Sequence, residues 1–187
     1  MKKNPTQSLA TAAADRGSLN DRGKVKMLAA PFVTFRPATE RDLEFLRALR
    51  WATMREVVLR HKSWSEEEQN QRVMAHFDAA CIILKESRET GLLKIVREPD
   101  RFHLIQIQIL PDFQGQGIGT AILQSLQDEC KASGLPIVLG AYLSNRSIDL
   151  YSRLGFEIVE RREHSCTLRW QPEGKENKSL QPRSARG

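Results

Sequence analysis

Cysteine is scarce in this 187-residue chain, with three in all: Cys81, Cys130 and Cys166. Their number is odd, their spacing is wide, and none forms a C-x-x-C pair or lies near paired histidines, which argues against a disulfide framework or a clustered metal site. Each falls in an apolar or periodic segment, so all three are expected as buried, reduced thiols, with no metal bound. Long hydrophobic runs are missing too, since no window approaches the ~20 apolar residues that cross a bilayer. The opening MKKNPTQSLATAAADRG has two lysines but only a short Leu-Ala-Thr-Ala run, too brief and polar for a signal-peptide core. A cytoplasmic protein without a membrane partner is expected. Also lacking is a basic surplus in the patterned part of the chain. The formal charge is +6, but ten of the 29 Lys and Arg and four of the 23 Asp and Glu lie in residues 1–30 and 171–187, leaving nineteen of each sign in 31–170. That distribution counts against a folded nucleic-acid reader, and no nucleic-acid partner is expected.

The stretch that carries most information is Leu104 to Cys130, LIQIQILPDFQGQGIGTAILQSLQDEC. In its first half Ile105, Ile107 and Ile109 fall on one side of an extended chain, and Leu104, Gln106, Gln108 and Leu110 on the other, which predicts a strand. Pro111 and Asp112 stop it. From Ile118 the period changes to Ile118, Ala121, Ile122, Ser125, Leu126 and Cys130, a stripe at helical spacing. Between strand and helix lies Gln114-Gly115-Gln116-Gly117-Ile118-Gly119. Its glycines allow a tight bend and leave no side chain in front of the first helical N–H groups, where the positive end of the helix dipole attracts an anion. The same glycines also suit a strand-to-helix turn that holds no ligand.

Spacing separates this loop from two familiar phosphate loops. A dinucleotide fingerprint would need a glycine where Thr120 stands, and a P-loop would need Lys then Ser or Thr after Gly119, where the chain has Thr120 and Ala121. The residues present match Q/R-x-x-G-x-G/A through Gln114, Gly117 and Gly119, which resembles the pyrophosphate loop of the GNAT acetyltransferase superfamily.

The rest of the patterning places this loop in a larger fold. Residues 1–30 are polar and aperiodic and are expected to be disordered, with Met27 an alternative start; 171–187 are expected to be a disordered tail. A short strand at Phe32–Arg36 is followed by a helix start at Thr39 and Asp42, with Leu43, Leu46, Leu49 or Arg50, Thr53 and Val57 on its stripe. Ser65 and Glu68 open a second helix, predicted to bury Val73, Met74 and Phe77. Strands at 80–85, 91–97 and 101–110 form a meander, with a turn at 86–90 between the first two. After the glycine-loop helix, Gly134 and Pro136 lead to a strand at 137–141, placed parallel to the preceding one by the crossover helix. A short helix at 145–154 and strands at 156–160 and 164–170 complete a domain over 31–170.

Asn145 to Phe156, NRSIDLYSRLGF, is similar to the N-x-x-A-x-x-L-Y-x-x-x-G-F segment of GNAT enzymes, with one residue fewer between Asn145 and Tyr151, and it follows the glycine loop in the family's order. Ser147 stands where Ala is frequent and Arg146 where Pro is frequent. The resemblance covers residues 32–170 and implies an α/β (α+β) fold with a mixed central sheet of about six to seven strands, splayed in a V and flanked by about four helices. It implies acetyl-CoA as cosubstrate and a primary amine of a small molecule or protein as acceptor, with a homodimer as one possible assembly. Carried over residue by residue, cofactor binding would fall to Gln114, Gly115, Gln116, Gly117, Ile118, Gly119 and Thr120 around the diphosphate. Ile107 and Ile109 would pair with the pantetheine arm, and Asn145 would act as a contact or a helix cap.

In the same resemblance Tyr151 would be the general acid; read without it, Tyr151 is a core aromatic beside Leu150, Leu154 and Phe156. Many relatives carry Glu on the strand entering the loop, whereas this chain has Gln106 and Gln108, which cannot take a proton at neutral pH. His103, Glu56 and His61 are substitutes, or the amine loses its proton to water. Trp51, Met54, Arg55 and Trp64 on the two early helices are expected to line the acceptor cleft. Two rival readings share the loop: a silent CoA-binding sensor, and a toxin-like acetyltransferase acting on aminoacyl-tRNA.

Overall fold

The elements appear in the predicted order in the computed structural model, which describes residues 30–172. The expected tails, and the alternative start at Met27, lie outside the described residues apart from their innermost positions. The strands are β1 (Thr34–Pro37), β2 (Ala80–Lys85), β3 (Arg88–Arg97), β4 (Phe102–Ile109), β5 (Ile137–Tyr142), β6 (Glu157–Arg161) and β7 (Ser165–Trp170). The helices are α1 (Leu43–Leu59), α2 (Glu66–Met74), α3 (Ile118–Ser133) and α4 (Ser147–Arg153). All seven strands join one mixed sheet in the order β1-β2-β3-β4-β5-β7-β6, antiparallel except for β4 and β5. The expected mixed sheet flanked by four helices is therefore what forms.

Alternation along β2 and β3 sorts side chains onto two faces. Ile82 and Leu92 pack with Leu46 and Leu49 of α1 and Val73 of α2. Cys81, Ile83, Leu93 and Ile95 pack on the other face with Ile122, Leu126 and Cys130 of α3. The three cysteines are free and buried, as expected. Two cap residues act as predicted: Ser65 Oγ accepts the Glu68 N–H at 3.3 Å, and Asp42 accepts the Thr39 N–H at 2.7 Å while taking both Arg36 terminal nitrogens at 2.7 and 2.8 Å. The Arg36 guanidinium holds the Asp42 carboxyl down to about 2.

Several boundaries differ from the sequence reading. β1 begins at Thr34 because Phe32 has φ 70° and its side chain is exposed, so the chain is still turning there. The β2–β3 connection is only Glu86-Ser87, both at positive φ (49° and 63°), the geometry of a tight hairpin turn usually marked by Asn or Gly. β3 consequently starts three residues before the predicted Gly91. On α2, Val73 is buried as expected but Met74 is 44% exposed, because the helix ends there. Most informative is a bulge in β4: Leu104 pairs with Ile95 and Gln106 with Lys94, leaving Ile105 extra. The bulge reverses the alternation, so that Phe102 and Leu104 before it share the α3-side core with Ile107 and Ile109 after it.

Lys94 occupies the other face of β3 and is wholly buried. Its Nζ donates to the carbonyls of Val73 and Ala75 at 2.7 Å each and of Arg72 at 3.5 Å, capping the negative end of α2 with a cation. Burial pushes its ammonium down to about 8. Lys94→Met should lower stability at pH 7 by about 2 kcal/mol, because buried carbonyls lose their donor. From pH 8 to 10.5 the unfolded chain holds this proton and the folded chain does not, so the native protein should gain stability with pH there and the Met variant should not. Urea midpoints at pH 7 and 9.5 test both statements; a gap between the two proteins that fails to widen with pH would contradict the second.

Candidate active site

β4 and β5 pair only from Phe102↔Ile137 to Leu104↔Leu139. Beyond that point β4 stays on β3 up to Ile109↔Gly91, and β5 stays on β7 up to Tyr142↔Ser165. The two central strands therefore part in a V, and each presents a free edge to the gap. Which peptide groups of β4 face it follows from alternation. The Leu110 N–H donates to Thr90 O at 2.8 Å on the β3 side, so the peptide groups of Ile107 and Ile109 point the other way, into the V. The Ile109 carbonyl accepts Gln114 Nε2 at 2.8 Å, which leaves the Ile107 peptide and the Ile109 N–H turned to the gap.

Immediately after β4, a tight turn at Pro111–Phe113 leads to Gly115 (φ 72°) and Gly117 (φ 79°), both left-handed positions that favour glycine. A Cβ placed on either would meet nothing within 4 Å, so the space before the loop is open. Gly117 is the N-cap of α3 and offers no side-chain cap; the first turn holds no acid, and the first helical bond runs from Ala121 N–H to Gly117 O. The N–H groups of Ile118, Gly119 and Thr120 thus lie before that bond and point out of the helix end. Gly119 is different from the other two: a Cβ there would make ordinary contacts with Leu150 and Ile109. Gln114 and Gln116 brace the loop from inside, Gln116 through Asp112 O at 2.9 Å and Lys85 Nζ at 2.5 Å.

A cleft of ≈ 1220 Å³ fills the V and runs down to this helix end. Of the residues expected to bind the cofactor or act as the acid, Gln116 alone stays off its wall. Tyr151 enters from α4 on the β5 side, 6% exposed, with its ring 5.7 Å from that of Phe156. Burial raises its phenol above the ordinary value, with a hydrogen bond to Ser147 pulling the other way. Asn145 Oδ1 accepts the Ser147 N–H at 3.0 Å, so it caps the start of α4.

The α1 side of the cleft is less legible in sequence. Gln108 is 7% exposed and donates Nε2 to Thr53 Oγ1 at 2.9 Å, and that hydroxyl in turn donates to Leu49 O at 2.7 Å. Arg50, one turn before Thr53, is equally buried; its helical spacing was the available signal, but nothing local said that a charge would be kept inside. The substitutes for a base do not converge. His103 lies on the part of β4 still paired with β5 and reaches Glu98 at 3.4 Å, Glu56 is ion-paired with Arg60, and His61 stacks on His164 at 4.5 Å while contacting Ser144 Oγ at 2.9 Å. Among the expected acceptor residues, Met54 lines the cleft. Trp51 and Trp64 meet edge to face at 5.1 Å around a separate ≈ 360 Å³ cavity, and Arg55 lies over Trp51 at 4.7 Å.

Comparison with known proteins supplies the frame for this geometry. Solved structures of the same fold include a PaiA N-acetyltransferase from Thermoplasma acidophilum in complex with coenzyme A, at 14% identity and TM-score 0.60, covering 74% of this chain and 98% of that one. The ribosomal-protein-S18-alanine N-acetyltransferase of Escherichia coli aligns at 21% identity and TM-score 0.55, over 80% and 99% of the two chains. Arabidopsis thaliana Naa50 with the bisubstrate analogue CoA-Ac-MVNAL aligns at 18% and 0.52, over 75% and 99%. A search among curated protein sequences finds no match. The acetyltransferase (GNAT) family model matches residues 43–156, spanning α1, the parted strands, the glycine loop and Tyr151. The chain belongs to the GNAT acetyltransferase family and is an acyltransferase of the N-acetyltransferase kind.

Proposed function

We propose that the protein moves an acetyl group from acetyl-CoA to a primary amine by direct attack, without an acyl-enzyme. The observation that supports this most is the V between β4 and β5, whose free edge leads straight to an uncapped helix end. The residues present fit acetyl-CoA: open space before Gly115 and Gly117 suits a diphosphate, and an unpaired strand edge suits an amide-bearing arm. When bound, acetyl-CoA supplies the thioester. The amides of Gln116 to Thr120 hold the diphosphate, and Gln114 shapes the loop from behind. The Ile107 peptide orients the arm, and the Ile109 N–H faces the thioester oxygen as its negative charge grows. As the C–N bond forms and the C–S bond breaks, Tyr151 gives its hydroxyl proton to the departing sulfur. Its raised pKa keeps that proton in place at neutral pH.

Gln106 and Gln108 cannot remove a proton from the amine, so the acceptor must arrive neutral and its surplus proton leaves to water. kcat/KM should therefore rise with pH toward the acceptor's own pKa. It should fall only above pH 10, since the acid must stay protonated and its pKa is displaced upward. Release of CoA thiol from acetyl-CoA in the presence of an amine panel, followed from pH 6 to 10.5, tests the proposal. Absence of thiol release with every amine tried, where CoA nevertheless binds, would favour the sensor reading, and a plateau set by a group titrating near 6 would reveal an enzymic base.

A further inference from the structure

Arg50 is a charge kept inside without a countercharge. It is 7% exposed, its Nε donates to the neutral Gln69 Oε1 at 2.8 Å, and among the described residues no carboxylate lies within ion-pair distance of it. Glu68, the acid whose field reaches it, is itself held by Lys62 and by Arg72. A buried guanidinium costs free energy unless something negative meets it. Arg50 lines both the acetyl-transfer cleft and the smaller cavity beside Trp51 and Trp64, and among the described residues its terminal nitrogens have no hydrogen-bond partner. Two further side chains of the same cleft carry an unmet group. The Oε1 atoms of Gln106 and Gln108 are buried and accept no hydrogen bond, and both residues line the cleft. Gln108 is tied through Nε2 to Thr53, which sits three residues from Arg50 on one helix face, about 5–6 Å apart at Cβ. The cleft thus offers hydrogen-bond acceptors that suit an amine beside a cation that suits an anion.

We propose that the acceptor is a small amine bearing its own negative group, a carboxylate or a phosphate, with that group on Arg50 and the amine N–H groups on Gln106 and Gln108. This rests on the acetyl transfer proposed above and narrows its substrate class. The uncharged glutamine oxygens orient the amine's hydrogens without the carboxylate charge that would favour its protonated form, while Arg50 selects the molecule by its other end. Arg50 acts here as a specificity residue and takes no part in proton transfer.

The test uses the full chain and matched acceptors: β-alanine against propylamine, and O-phosphoethanolamine against ethanolamine, with putrescine as a cationic control. Each is followed by CoA thiol release. The anionic member of at least one pair should be preferred in kcat/KM on the order of 30-fold or more, the size expected when a buried charge finds its partner. Arg50→Gln should lose that preference, read as the ratio of kcat/KM within each pair; Arg50→Lys should keep part of it. Whichever anionic pair responds distinguishes carboxylate from phosphate. Equal or better use of the neutral amines or putrescine, or no turnover of either anionic amine, overturns the proposal. So does an unchanged preference in Arg50→Gln. If that variant does not fold, the wild-type ratio alone decides. Failure of CoA to bind at all would instead overturn the acetyl-transfer reading beneath it.

Discussion

Gly117→Asp is expected to weaken coenzyme A binding on the order of a thousandfold while leaving the protein folded. Position 117 sits at φ 79° at the start of α3, in front of open space. An aspartate there pays about 1 kcal/mol of left-handed strain but regains a similar amount by capping the helix, so stability should hardly change. The same carboxylate would occupy the amides and the positive dipole end proposed for the diphosphate. It would also repel that group by about 4 kcal/mol at 4 Å and an effective dielectric of 20. Gly117→Ala carries the strain without the charge and should lose roughly tenfold at most. Calorimetry on the three proteins measures the difference. Binding by the Asp variant within tenfold of the parent would mean that the anion site is elsewhere.

Tyr151→Phe should reduce kcat by about 10²- to 10³-fold with the affinity for coenzyme A unchanged, the range ascribed to a positioned general acid. The substitution removes one oxygen and the hydrogen bond to Ser147, and it keeps the ring against Phe156, so it should cost only about 1 kcal/mol in stability. Single-turnover acetyl transfer at saturating acetyl-CoA isolates the chemical step. A variant that transfers at the parent rate would leave Tyr151 as a packing residue and return the proton to solvent. The split between kcat and Kd is the decisive feature, since a structural defect on α4 would disturb Asn145 and the cleft wall as well.

The parts of the fold legible in sequence were those set by neighbouring residues. Gly115 and Gly117 announce their own backbone angles, and the period change after Pro111 marks the strand-to-helix boundary correctly. The Ser65 and Thr39 signatures located two helix starts because capping is a contact across three residues. What escaped depended on distant partners or on an unusual residue in a familiar geometry. Glu86 and Ser87 turn a hairpin that Asn-Gly would have advertised. The bulge at Ile105 is invisible in β4 itself, since it exists only relative to β3, and it moved Leu104 to the face opposite the predicted one. Nothing local marks Lys94 for burial, since the carbonyls that take its hydrogens come from the end of α2. The placement of β7 between β5 and β6 likewise has no local sign.

That bulge has a further consequence for how the chain can vary. Downstream of Ile105, odd-numbered side chains of β4 support the half of the cleft assigned to the donor and even-numbered ones face the half assigned to the acceptor. Exchanging one side chain at 106 or 108 can thus alter which amine is taken with little effect on the cosubstrate. Inserting or deleting a single residue between 105 and 110 would transpose the two sets at once. This short segment should be permissive in identity and intolerant in length.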